Sequence, residues 1–381
     1  MNIFKYKFTF SIPSKKKYLI YGDAYEAKKK EDAFFSDILN KNEYYVFDKN
    51  FEQLNFWVLV LCLFNLRLSK KNYLNFLIKL IKPKFILTYL DNNLEFYLIK
   101  NLFPTIKIIS IQNGWRGKSF DLFDPELLTR YKDKKLFCDF ILCFNDAFAA
   151  EYKKIINTKT ISVGSITANQ FKFDESLKND SIVFLLQHRL KKNEIFSIKA
   201  DGTKIRWDDL FLPTGILLEY LSDFCEKKKI FLKILGRGRT PKDWKSEKEF
   251  IKNYVNCDYK YFPKLKKYSS YEKAVKSKLI VSISSTLAYE MIGLGKRVIN
   301  IHTRKLVYPD IEDTFMWPNF SQREGPFWTE NFNKDKVLEL LEFAYFSDDD
   351  KWNYNTSKYS NNTMAYDKNN TKLFKLLSGE F

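Results

Sequence analysis

Several polar clusters in this sequence combine side chains suited to a phosphorylated or acidic ligand. Ser284, Ser285 and Thr286 stand between an apolar β-branched run, Leu279–Ile283, and a helical pattern with Leu287 and Met291 on one face. Serine and threonine favour helix N-caps. Unsatisfied N–H groups at a helix start, with hydroxyls beside them, suit a phosphate. Glu290 lies one turn further on, four residues after Thr286 and one too far for a capping box with it. A carboxylate there can accept from a ribose diol; the plainer alternative is an ordinary capped helix. A second cluster, Gly236-Arg237-Gly238-Arg239, follows the apolar run Ile230–Leu235. Glycine lets backbone approach a ligand, and arginine recognises phosphate or carboxylate bidentately. The alternative is a basic turn, and the spacing is not a GxGxxG fingerprint. Gln187, His188 and Arg189 follow another run, Ser181–Leu186. His188 can stabilise a leaving phosphate or move a proton, or it can be structural.

The first half holds two similar clusters. Asp91 follows Phe85–Tyr89 (FILTY) and is the leading candidate for a general base toward an acceptor hydroxyl. The alternative is that Asp91 or Asn92 caps the helix starting at Leu94. After Ile106–Ile111 come Gln112 and Asn113, which suit sugar hydroxyls, and Gly114, which permits a tight turn. Trp115 either stacks on a sugar or packs, and Arg116 suits an acidic group. Glu324, in the loop sequence EGPFW, is a reserve carboxylate, and Asp201 stands in another polar loop.

All of these clusters sit at strand ends in an alternating pattern, which predicts their edge of the sheet. Strands are expected at Tyr18–Tyr21, Tyr44–Phe47, Phe85–Tyr89, Ile106–Ile111, Phe140–Phe144 and Lys159–Val163. Helices are expected at Ala24–Leu39, Phe56–Arg67, Tyr73–Ile81 and Leu94–Leu102. Residues 166–181 read as a linker, after which the alternation restarts. Lys191–Trp207 reads as loop and Pro213–Lys229 as helix. Lys245–Tyr254, Tyr271–Lys278 and Lys334–Phe346 also read as helices, with a strand at Tyr259–Phe262 and another at Arg297–Ile301. The expectation is an α/β chain with two Rossmann-like domains facing a central cleft, their ligand groups at the carboxyl ends of parallel strands. The domains are read as 1–170 and 181–345, with 346–381 as a C-terminal helix and tail.

Composition narrows the partners. The chain has 381 residues, long enough for two domains, and 45% hydrophobic content supports real cores. Its net charge of +18 favours anionic partners, including phosphorylated substrates and anionic membrane. The basic residues are spread rather than gathered in an arm, which argues against nucleic acid. Five scattered cysteines without a CxxC pair argue for a reducing compartment. Two histidines make a zinc site a poor fit, and no metal is expected. The longest apolar run, Phe56–Leu66, is too short to span a bilayer and reads as a buried helix. With no signal peptide evident, the expected place is the cytoplasm, with the basic surface suited to the inner face of the cytoplasmic membrane.

Taken together and in order, six segments resemble a family of bacterial surface carbohydrate biosynthesis proteins. They are YLDNN (89–93), IQNGWRG (111–117), VGS (163–165), ILGRGR (234–239), SSTLAYEMIGLGKRV (284–298) and EGPFW (324–328). Relatives often read DSTLGYE where this chain has SSTLAYE, which weakens any role for an acid at position 284. The resemblance implies a GT-B glycosyltransferase acting on capsule or lipopolysaccharide, distantly similar to enzymes using CMP-activated acidic sugars such as Kdo. On that reading the catalytic candidates are Asp91, His188 and Glu324. Gln187, Arg189, Arg237, Arg239, Ser284, Ser285, Thr286 and Glu290 would bind the donor. Gln112, Asn113, Gly114 and Arg116 would bind a glycan or lipid-linked acceptor. It implies no cofactor beyond the nucleotide-sugar itself; the helix end and arginines would stabilise the departing phosphate. Rival readings are a CMP-dependent polyol-phosphate transferase of the teichoic-acid type, with His188 or His302 as base, and a non-catalytic glycan or polyanion-binding protein.

Overall fold

Runs such as Tyr18–Gly22 (YLIYG), Phe85–Thr88 (FILT) and Val298–Ile301 (VINI) are buried at every position, as parallel strands covered on both faces must be. They belong to two parallel sheets in a computed structural model. It describes residues 7–30, 33–66, 68–119, 121–172, 179–188, 194–198, 202, 204–307 and 314–380. The chain divides into two units. One comprises Met1–Gly114, Asp121–Thr167 and Thr371–Phe381, the other Trp115–Phe120 and Ala168–Asn370.

The first unit holds a six-stranded sheet, every neighbouring pair parallel. Its order is Tyr44–Asp48, Tyr18–Gly22, Phe85–Thr88, Lys107–Ile111, Phe137–Cys143 and Asn157–Ser162. The chain steps one way from Tyr18–Gly22 and then returns to its other side, so the order reverses beside that strand. In the second unit the order is Tyr259–Phe262, Phe231–Leu235, Asn179–Leu185, Ser277–Ser282, Val298–Ile301, Trp328–Thr329 and Glu324–Gly325. All neighbours are parallel except the last pair. Here the reversal lies between Asn179–Leu185 and Ser277–Ser282. Ligands of doubly wound sheets bind at the carboxyl end of such a reversal.

Besides the helix expected over Tyr271–Lys278, which is Ser269–Ala274 followed by strand Ser277–Ser282, and the linker expected over 166–181, which holds helix Ile166–Gln170, four sequence expectations change. The helix expected over Ala24–Leu39 stops at Ala27. Glu26 is fully buried, and its carboxylate accepts the N–H groups of Phe34 and Phe35 at 2.9 and 3.1 Å, folding the chain back. The helix expected from Pro213 begins at Trp207 and carries Pro213 within it. The Asp209 carboxylate fixes that earlier start by accepting the Arg206 N–H at 2.7 Å. Within the expected loop before it, Ile195–Ile198 and Lys204–Arg206 pair as an antiparallel hairpin. The fourth concerns the apolar helix Phe56–Phe64, expected to be buried: only Val58 and Cys62 are.

The C-terminal residues do not form a separate tail. Helix Thr371–Ser378 packs Leu373, Leu376 and Leu377 into the first unit's core, with Tyr18, Ile20 and Ile109. Leu376→Ala should therefore destabilise the first unit by about 3 kcal/mol, the usual cost of a buried large-to-small change, read by denaturant unfolding. A change below about 0.5 kcal/mol, typical of a surface substitution, would mean that this helix is not part of the core.

Candidate functional site

At the reversal point of the second sheet, the strand ends bring Gln187 and Ser284 together. The Ser284 hydroxyl donates to Gln187 Oε1 at 3.1 Å. The Ser285 N–H is turned back onto the Ser282 hydroxyl at 3.0 Å, which shapes the turn. Ser285 is the N-cap of helix Thr286–Gly293, yet its side chain makes no capping hydrogen bond. The positive end of the helix macrodipole lies at this start, where the Ser285 side chain does not serve as the cap. The neighbouring hydroxyl of Thr286 accepts the Trp115 N–H at 3.3 Å.

Trp115 is committed to packing. Its ring stacks on Tyr289 at 3.8 Å and 4°, and its indole N–H donates to the Trp317 carbonyl at 2.8 Å. Tyr289 stacks in turn on Phe315 at 4.6 Å and donates its hydroxyl to the Phe315 carbonyl at 2.7 Å. This aromatic column braces the same helix that carries the serine turn. Glu290, one turn into that helix, is buried, with its Oε2 accepting the Tyr271 hydroxyl at 2.6 Å.

The Gly-Arg-Gly-Arg turn differs from its sequence reading. Its backbone approaches a carboxylate of the protein itself. Glu247, buried on helix Pro241–Lys252, accepts the N–H groups of Arg237 and Gly238 at 2.9 and 2.7 Å through one oxygen. Its other oxygen accepts the Tyr261 hydroxyl at 2.5 Å. A Cβ at Gly236 would lie 2.3 Å from that carboxylate, and one at Gly238 would lie 2.3 Å from Asp243 Cβ. The glycines make room for the helix, while the Arg237 and Arg239 side chains are exposed at the strand end. His188 is anchored to the same helix: Nε2 lies 3.1 Å from the Ser246 hydroxyl and the ring stacks on Phe250 at 4.4 Å. Arg189 and Asp201 lie outside the described residues.

In the first unit, Asp91 has a role other than the expected base. It is fully buried, and its two oxygens accept the Asn113 N–H at 3.1 Å and the Tyr152 hydroxyl at 2.6 Å. It therefore positions the loop after Lys107–Ile111. Gln112 is also buried and spent: its amide N–H donates to the Gly114 carbonyl at 3.0 Å and its Oε1 accepts the Phe144 N–H at 2.9 Å. The Asn113 side chain is exposed beyond them, and Arg116, grouped with the second unit, is half-buried.

Glu324 is exposed in a short edge hairpin. Six residues on, Glu330 is the carboxylate that sequence reading missed. Its side chain is only 5% exposed at the carboxyl end of Trp328–Thr329, with Lys305 Nζ at 3.1 Å and His302 Nδ1 at 3.8 Å. Nothing in the local pattern marks it, because the parallel pairing of Asn300–Ile301 with Trp328–Thr329 is what brings the two chain segments together. Among the described residues no group of three or more His, Cys, Asp or Glu is gathered as a metal site would require.

A family model described as "putative O-antigen biosynthesis protein" matches residues 109–380. The chain belongs to that family. Among solved structures, the UDP-GlcNAc 2-epimerase of Methanocaldococcus jannaschii is similar at 14% identity, with 95% of this chain and 99% of that one covered and a TM-score of 0.51. That enzyme in complex with UDP-GlcNAc and UDP gives 13% identity, 95% and 99% coverage and a TM-score of 0.50. A further UDP-N-acetylglucosamine 2-epimerase gives 12% identity, 97% coverage of both chains and a TM-score of 0.52. No curated protein matches the chain. At these identities the likeness is one of fold: two Rossmann-like domains of the GT-B type.

Burial raises the pKa of Glu247 above the ordinary 4.5, outweighing the lowering by Tyr261 and the two N–H donors. A carboxylate so raised contributes stability that is full below its unfolded value and is lost as pH rises through its folded value. Glu247→Gln should remove this dependence. Between about pH 4 and about pH 7 the variant's melting temperature should fall less than that of wild type. Parallel pH profiles would refute the assignment.

Proposed function

We propose that the chain is a sugar-nucleotide-dependent glycosyltransferase of O-antigen or related surface-polysaccharide assembly. It would move a sugar from a nucleotide donor to a glycan or lipid-linked glycan acceptor at the inner face of the cytoplasmic membrane. The observation that carries this reading is the helix start at Ser284–Thr286, whose N-cap Ser285 makes no side-chain capping bond, placed at the reversal of the second sheet beside Gln187. The donor phosphate would take the helix's N–H groups and the turn's hydroxyls. Glu290, held by Tyr271, would accept from the ribose, and Arg237 and Arg239 would meet the phosphates or an acidic sugar from the adjacent strand end. Helix end and arginines together would stabilise the charge that develops as the nucleotide leaves. His188, anchored at Nε2 by the Ser246 hydroxyl, is proposed as the group serving the leaving phosphate.

On this proposal the donor would be the CMP-linked acidic sugar that the sequence resemblance implies. The likeness to a UDP-GlcNAc 2-epimerase in complex with UDP-GlcNAc and UDP favours a second reading, a nucleotide-sugar epimerase. The two differ in whether turnover needs an acceptor.

Thermal-shift titration with CMP, UDP, GDP and their sugars tests the site. One nucleotide class should stabilise wild type selectively, by about 2.7 kcal/mol at a hundredfold excess over its dissociation constant, and Arg237→Ala should lose most of that gain. No stabilisation by any of them would overturn the proposal. Turnover of the selected nucleotide-sugar in the absence of acceptor, with inversion at a ring carbon and no release of nucleotide, would select the epimerase.

A further inference from the structure

Helix Phe56–Phe64 is built the wrong way round for a globular protein. Val58 and Cys62 face inward, while Phe56, Trp57, Leu63 and Phe64 are exposed. The exposed residues share one face by their spacing, at i, i+1, i+7 and i+8. A solvent face of this kind is ordinarily polar. The surface continues past the helix, where Leu66 is 95% exposed and Phe64 83%. On the other side it reaches the segment after strand Lys7–Thr9. There Phe10, 67% exposed, packs its ring on Phe56 at 5.5 Å, and its carbonyl accepts the Trp57 indole N–H at 2.6 Å. Contiguous exposed apolar surface of this extent marks an interaction site.

Charge identifies the occupant. The two segments that build the surface, Lys7–Phe10 and Phe56–Lys71, carry Lys7, Lys70 and Lys71 and no acidic residue. A second copy of the chain meeting this face would set lysines against lysines, which is repulsive. An anionic lipid surface satisfies both features: apolar and aromatic side chains enter the headgroup boundary while lysines meet the phosphates. No described helix is long and apolar enough to cross a membrane, and at nine residues this one suits lying in the interface plane.

We infer that the face formed by Phe56–Phe64, Leu66 and Phe10 docks the protein on an anionic bilayer. The inference deepens the proposed function by naming the surface that holds the enzyme at its lipid-linked acceptor, and it involves none of the donor-site residues.

Co-sedimentation with vesicles of phosphatidylcholine alone, and of phosphatidylcholine mixed with phosphatidylglycerol, tests it. Wild type should sediment with the anionic vesicles and be released by salt. Phe64→Ser/Leu66→Ser should weaken that binding by about tenfold or more. Lys70→Glu/Lys71→Glu should weaken it too and flatten its salt dependence. Melting temperature and nucleotide-induced shift, unchanged in both variants, separate loss of the docking face from loss of fold or of the donor site. Failure of wild type to bind anionic vesicles, or undiminished binding by the serine variant, would overturn the inference. So would a dimer in sedimentation velocity that the serine variant dissolves, since that would make the face a contact between copies.

Discussion

The loops of this protein are held by buried or half-buried carboxylates that accept backbone N–H groups. Glu26 folds the chain back after its first helical turn. Asp48 holds Asn50 and Gln53, Asp91 holds Asn113, and Glu247 holds Arg237 and Gly238. Asp139 takes the Ile108 N–H at 2.7 Å together with the Lys100 ammonium. A buried peptide N–H left unmade costs on the order of 1–3 kcal/mol, and bonds to a charged acceptor are the strong kind. With 46 acidic residues against 64 basic ones, several acids are spent inward on backbone, which leaves the lysines to dominate the outside.

This arrangement explains why one turn stands apart. The loops at Asn113 and at Arg237–Gly238 each have their donors occupied by a carboxylate. At the turn Ser284–Thr286 the bonds that shape it run through hydroxyls, Ser282 accepting the Ser285 N–H and Ser284 donating to Gln187. Its helix is braced from outside by the column of Trp115, Tyr289 and Phe315. Rigidity here comes from aromatic packing, whereas at the other two loops it comes from an internal acid.

Strand positions and the alternation of the two sheets were legible because buried parallel strands are continuous apolar runs. Tyr259–Phe262 and Lys334–Phe346 agree to the residue. The edge on which candidate residues fall followed from that alternation. What could not be read was the partner of each polar side chain. Asp91 and Glu247 have the residue types of chemistry and the geometry of struts, a difference set by residues 22 and 61 positions away for Asp91 and 9, 10 and 14 positions away for Glu247. Glycines 236 and 238 look the same in sequence whether a ligand or a helix carboxylate approaches them. The inward or outward facing of Phe56–Phe64 was hidden for the opposite reason: an all-apolar helix has no polar face to betray its orientation.

The return of the chain to its first unit has a consequence for biosynthesis. Leu373, Leu376 and Leu377 fill a core whose remaining members, from Tyr18 to Ile166, are made more than two hundred residues earlier. While the ribosome is still producing the second sheet, the first unit stands with an open apolar groove where helix Thr371–Ser378 will later lie. Domains that complete themselves in order of synthesis have no such interval. Here the first unit waits for helix Thr371–Ser378, the element that completes its core.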